Sequence, residues 1–250
     1  MAKKTPTETL EQRKKRAARI TEILSKRYPD ARCTLNFTTP LELLIATILA
    51  AQSTDKGVNL VTPALFAKYK TAEDWANASQ EELEPQLRPT GFFRNKTKSV
   101  RGAAAAIVER FGGEVPRTME ELLTLPGVAR KTANVVLANA YGLTEGITVD
   151  THVIRVSGRL GLTENTDPVK IEKDLMEIVP KTQWGIFAHL LVFHGRTICV
   201  ARMPDCPGCP VNKLCPSAFT FGGKQESPET PRRNTKTTKI TKNTKKEGRS

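Results

Sequence analysis

Between Thr118 and Asp150 the chain reads TMEELLTLPGVARKTANVVLANAYGLTEGITVD, and this stretch constrains the fold more than any other. Thr118 followed three residues later by Glu121 is a capping-box signal for a helix start. Leu122, Leu123 and Leu125 give that short helix an apolar side. Pro126 lacks an N–H and Gly127 accepts a positive φ, so the pair breaks it. Ala133, Val136, Leu137 and Ala140 then recur at helical spacing, and Tyr141-Gly142 supplies a stop. The stretch predicts helix, tight hairpin, helix.

Such a hairpin has a use. The first N–H groups of its second helix lack intrahelical partners, and the helix dipole places partial positive charge there, so a phosphate oxygen can sit on them. Gly127 has no side chain to block that approach. A phosphate held this way fixes register on nucleic acid without reading bases. For a bare Pro-Gly turn the competing reading is an ordinary helical hairpin, but the neighbours weigh against it. Lys131 falls in the first turn of the second helix, and a lysine amine can act as a Schiff-base nucleophile. Asp150 closes the stretch in Val149-Asp150-Thr151-His152, where it also suits the N-cap of a helix starting at Thr151. Each residue alone reads as structural; the two together beside a phosphate-binding hairpin read as catalytic.

The rest of the chain is helical in pattern. Ala17 to Tyr28 shows an apolar side ended by Pro29-Asp30, after a charged segment over residues 1–16 that reads as a mobile tail. Thr39-Pro40-Leu41-Glu42 is a strong helix start. The sequence LELLIATILAAQ behind it is apolar nearly all round, which predicts a central helix. Residues 58–70 and 72–78 look helical, Ser79 caps another helix, and residues 97–111 form a further Ala-rich one. Thr90 to Lys96 reads as a Gly-led basic turn with two aromatics. Phe93 is expected in the core, and Phe92 is exposed for stacking or wedging into bases. Later helices are expected over 151–160, from Asp167-Pro168 to Ile178, and from Gln183 to Arg196. His189 and His194, five apart, do not share a helix face and read as core or capping residues. No segment alternates with a period of two, so the fold class is all-α.

Charge and cysteine usage narrow the function. The net charge is +13, but residues 1–19 carry +5 and residues 224–250 carry +6, leaving only +2 for the body. Attraction to a polyanion therefore resides mostly in the termini. A Thr-Lys-x unit repeats from Thr235, placing Lys236, Lys239, Lys242 and Lys245 three apart, as a DNA tether or a solubilising tail would. No apolar run reaches a membrane span, and the basic N-terminus lacks the apolar region of a secretory signal, which predicts a cytoplasmic, nucleoid-associated protein. Cys199, Cys206, Cys209 and Cys215 form C-x6-C-x2-C-x5-C. Four thiolates can hold either a tetrahedral zinc or a four-iron cluster. Cys33 stands alone and reads as a small buried hydrophobe.

LPGVARKTANVVLANAYG followed by VDTHVIRV, with the cysteine set behind them, resembles the helix-hairpin-helix DNA glycosylase superfamily and within it the endonuclease III family, over about residues 20 to 217. The resemblance implies two helical lobes with a DNA-binding groove between them. One lobe would be residues 33–144. The other would join 17–32 to 145–217 and carry a C-terminal loop with a 4Fe–4S cluster on the four cysteines, followed by a basic tail over 218–250. The resemblance also implies a monomeric bifunctional enzyme that acts on duplex DNA carrying damaged pyrimidines or abasic sites. Lys131 would be the nucleophile and Asp150 the essential carboxylate. Gln52 would fill the hole left by an extruded base, and Phe92 would stand where a leucine wedge is usual. Gly127, Ala129 and Arg130 would meet DNA through the hairpin, with Ala129 replacing a common second glycine. Arg202, the only cation in the first cluster loop, would be that loop's contact with DNA. Adenine-removing relatives carry a catalytic Glu five residues before Gln52, where this chain has Thr47. Two rival functions are a hydrolytic glycosylase using water and Asp150, and a non-enzymatic DNA-binding module.

Overall fold

The computed structural model describes residues 8–220; the basic C-terminal repeats lie outside the described residues. The described residues form eleven α-helices and short 3-10 turns, with no strand among them. Helix α1 spans Leu10–Arg27 and so begins seven residues before Ala17, which removes residues 10–16 from the expected tail. Its start is a capping box, in which the Thr9 hydroxyl accepts from the Gln12 amide and the Gln12 side chain answers the Thr9 N–H. The charged residues after Thr9 hid this start, because they show no apolar stripe.

Helix α2 (Pro40–Leu49) carries the expected Thr39 cap and Pro at its first turn. Leu43, Leu44, Ile45, Ala46 and Leu49 are fully buried, and each large side chain among them contributes roughly 1.5–3 kcal/mol of burial. The helix ends earlier than the apolar run suggests. Ala50 closes it, and Gln52 then turns back with φ +54°. Around α2 lie α3 (Asp55–Lys68), α4 (Ala72–Asn77), α5 (Gln80–Leu87), α6 (Phe93–Phe111), α7 (Met119–Leu123) and α8 (Arg130–Ala140). Their apolar faces make one hydrophobic cluster, running from Leu35 to Leu137. A second cluster joins α1 to α9 (Thr151–Arg159), α10 (Pro168–Ile178) and α11 (Trp184–Thr197). Arg16 ties the ends of this second cluster together, donating to the carbonyl oxygens of Leu160, Gly161 and Leu214.

Helix α6 corrects a second boundary. The Thr90–Lys96 segment is a turn only as far as Phe92, and the helix starts at Phe93 rather than near residue 97. Phe92 has φ +47° and supplies no capping side chain, so the sequence offered no cap from which to read the start. No helix among the described residues is long and apolar enough to cross a membrane.

Candidate active site

The hairpin is built as the sequence predicts. Thr118 caps α7, and Thr124, Leu125 and Val128 turn the chain through backbone bonds to Glu121, Leu122 and Leu125. Gly127 has φ +76°, and a Cβ there would lie 2.6 Å from the Ser99 Cβ. The glycine is therefore required first by the hairpin's backbone and its contact with α6, not only by access for a phosphate. Ala129 is the N-cap of α8 and makes no side-chain cap bond. Eight of the eleven described α-helices are capped by a Ser, Thr or Asp side chain, whereas α6, α8 and α11 are not. The leading amides of α8 are thus left for another acceptor. Arg130 is less free than expected for a DNA contact. Its guanidinium pairs with the buried Glu172 carboxylate of α10 at 2.6 Å, and Asn134 donates to the same carboxylate at 2.9 Å.

Lys131, from the first turn of α8, and Asp150, the N-cap of α9, line one cavity of about 280 Å³ between the two hydrophobic clusters. Asp150 is half-buried, and its Oδ1 accepts from the amides of His152 and Val153, both at 2.8 Å. The capping role and the site role thus belong to the same carboxylate. Gln52 and Ala129 line the cavity, as does Thr47, whose hydroxyl is bound to the Leu43 carbonyl at 2.7 Å.

Sequence reasoning gave several other lining residues no part in the site, reading His189 as a core or capping residue and Cys33 as a buried hydrophobe and leaving Asp55 aside. Asp55, the first residue of α3, accepts from the Thr34 hydroxyl and from Arg196 at 2.8 Å. Burial opposes its charge, yet Thr34 and Arg196 hold its carboxyl below the usual value, and the Lys131 charge acts in the same direction. His189 is hydrogen-bonded to Asn139 at 3.1 Å, and burial pushes its imidazole below the usual range. Cys33 also lines the cavity, and burial raises its thiol. These residues come from elements far apart in sequence, and no local spacing relates them.

Phe92 is 62% exposed, whereas Phe93 packs against the first cluster, as expected for the two aromatics. Arg202 is exposed in the loop between the first two cysteines. All four cysteines line a second, smaller cavity of about 30 Å³ with Arg159 and His194. Among the described residues, no three potential ligands close into a set suited to a single metal ion. Donors nevertheless reach three of the sulfurs. The Val211 and Ser217 amides donate to Cys209 and Cys215, and Arg159 Nη1 lies 3.5 Å from the Cys199 sulfur. Burial pushes the Cys209 thiol up to about 11 and raises that of Cys215, so thiolates at these two positions call for a compensating cationic group. His194, read as a core residue, is buried, bonded to the Tyr28 hydroxyl, and 3.5 Å from the Cys209 sulfur.

Known proteins match this arrangement. The family described as HhH-GPD superfamily base excision DNA repair protein matches residues 45–181. Endonuclease III of Synechocystis sp. is 56% identical over 206 residues, covering 82% of this chain and 94% of that protein. Two solved structures, a non-covalent endonuclease III–DNA complex and a trapped endonuclease III–DNA covalent intermediate, each superpose with a TM-score of 0.79 at 44% identity. Each match covers 83% of this chain and 97% of theirs. A chain with this hairpin, this cavity and these relatives belongs to the endonuclease III family of the HhH-GPD base excision DNA repair superfamily.

Proposed function

We propose that the protein removes oxidised pyrimidines from duplex DNA and then cuts the strand 3′ to the abasic site, with Lys131 as nucleophile and Asp150 as its carboxylate partner. The observation that carries this reading is the meeting of Lys131 and Asp150 in one cavity beside an uncapped helix N-terminus. The damaged nucleotide is flipped into the cavity, because its sugar carbon is unreachable within the stack. Exposed Phe92 and left-handed Gln52 enter the space it leaves. The leading amides of α8 take a phosphate oxygen. Asp150 accepts a proton from the Lys131 ammonium and offsets the positive charge developing on the sugar. The amine attacks C1′, the C1′–base bond breaks, and the base leaves with its electron pair. Opening of the sugar ring gives a Schiff base. Loss of a C2′ proton then expels the 3′ phosphate, and hydrolysis frees the lysine. That a 44% identical relative was trapped as a covalent intermediate with DNA favours this route over a hydrolytic one.

A duplex with one thymine glycol is expected to yield free base and a strand cut together. Base release with an intact abasic strand would instead identify a hydrolytic glycosylase, and binding without either product a DNA-binding module.

The four cysteines would hold a 4Fe–4S cluster, which would compensate the thiolate charge and tie Cys206, Cys209 and Cys215 to Cys199, just behind the end of α11. The amide and guanidinium donors aimed at the sulfurs support this assignment. The purified protein is expected to contain about four iron atoms per chain. Cys209→Ser should lose that iron and become insoluble, because ligation orders the segment. Cys33→Ser should retain it. Stoichiometric zinc without iron would overturn the assignment.

A further inference from the structure

Lys96 is 4% exposed, an unusual place for an ammonium. It lies in the first turn of α6, where the positive end of the helix opposes its charge. Burial also disfavours the charged form. Both of its acceptors are uncharged. Nζ donates to the Ser53 hydroxyl oxygen at 2.8 Å and to the Thr90 carbonyl at 2.7 Å, and the Ser53 hydroxyl donates to that same carbonyl. A cation placed against both the dipole and burial, with no carboxylate paired to it among the described residues, calls for a role other than stability.

Its partners suggest the role. Ser53 directly follows Gln52, and Thr90 precedes Gly91-Phe92. Gln52 and Phe92 are two of the three non-glycine residues with positive φ among the described residues, at +54° and +47°. Both sit where the chain leaves or enters a helix, α2 and α6 respectively. Lys96 also donates its backbone N–H to the Phe92 carbonyl at 3.1 Å. Lys96 therefore braces a link between the Gln52 turn and the Phe92 turn that the Ser53 hydroxyl also makes directly to the Thr90 carbonyl, and its N–H closes the helix behind the second turn.

We propose that Lys96 is a positioning residue that couples the Gln52 and Phe92 turns, so that the two side chains enter the duplex as one unit. This inference rests on the reading of Gln52 and Phe92 as residues that probe the base stack. Held as one unit, the two turns do not have to be ordered separately when DNA binds, which lowers the entropic cost of insertion.

The test is a double-mutant cycle on the full-length protein, read by single-turnover cleavage of a paired thymine glycol and of an abasic site in single-stranded DNA. In the parent protein, the losses from Gln52→Ala and Phe92→Ala on the paired substrate should be non-additive, because removing either side chain undoes the joint insertion. In Lys96→Met the paired substrate should slow about tenfold, within the range for residues of one hydrogen-bond network, and the non-additivity should shrink, because only the direct Ser53–Thr90 bond then remains across the two turns. Cleavage of the single-stranded abasic site should stay within about twofold, since no stack has to be opened there. Unchanged non-additivity in Lys96→Met, or equal slowing on both substrates, would overturn the coupling. If Gln52→Ala and Phe92→Ala both leave the paired substrate unaffected, the probe reading itself falls, and the coupling with it. Should Lys96→Met prove insoluble, Ser53→Ala removes the Gln52-side partner of both bonds and must reduce the non-additivity; no reduction would overturn the proposal.

Discussion

Asp150→Asn is expected to slow base release from a damaged duplex by about 10²- to 10⁴-fold, the usual contribution of a positioned acid or base. Its thermal stability should stay within about 1 kcal/mol of the parent. The small stability effect follows from the cap. Asp150 Oδ1 accepts from the His152 and Val153 amides, and an asparagine oxygen can accept the same two bonds. What the substitution loses on the stability side is the interaction of a carboxylate with the α9 dipole, worth roughly 0.3–1 kcal/mol. On the chemical side it removes the group that takes a proton from Lys131 and faces the developing positive charge. Side-by-side thermal melts and single-turnover rates separate the two contributions. Near-parental turnover would reduce Asp150 to a cap.

Lys131→Gln is expected to abolish covalent chemistry outright while duplex binding weakens by no more than roughly tenfold, the effect of removing one cation among several. The cavity should keep its shape. Lys131 is exposed at the start of α8, and Asp55 across the cavity remains held by Thr34 and Arg196. Titration with an undamaged duplex at fixed salt, beside the cleavage assay, checks both halves of this expectation. Loss of binding together with activity would mean that the lysine serves the complex rather than the chemistry.

The features legible in the sequence were those written over short distances. Thr39, Ser79, Thr118 and Asp167 announced four helix starts through their spacing to the residues that follow. The Pro-Gly break and the periodic residues from Ala133 to Ala140 defined the hairpin. Lys131 and Asp150 are near enough in sequence to be read as one constellation. The start of α6 was not legible, because Phe92 stops the turn by its backbone conformation rather than by a capping side chain. Arg130 read as a DNA contact because its partner, Glu172, comes from a distant helix. Asp55, Asn139, and the pair His189 and Arg196 reach the cavity from three separate helices, α3, α8 and α11.

Lys96 shows how a signal can be present and still be outweighed. Beside Arg94, in a turn with exposed aromatics, it looked like part of a basic surface. Yet it stands at helical spacing from Val100, Ala103, Ala104 and Ile107, all fully buried on the inner face of α6. A cation in line with an apolar stripe marks a buried charge, and that reading required the helix to begin at Phe93.

The central claim is that Lys131 bonds to the sugar of the damaged nucleotide. Incubating the parent protein and Lys131→Gln with a thymine-glycol duplex in the presence of borohydride tests it directly, because reduction converts a Schiff base into a stable protein–DNA cross-link. A cross-linked species is expected with the parent protein alone, and mass mapping should place the adduct on the peptide containing Lys131. Equal cross-linking by Lys131→Gln, or an adduct mapped to another residue, would contradict the account.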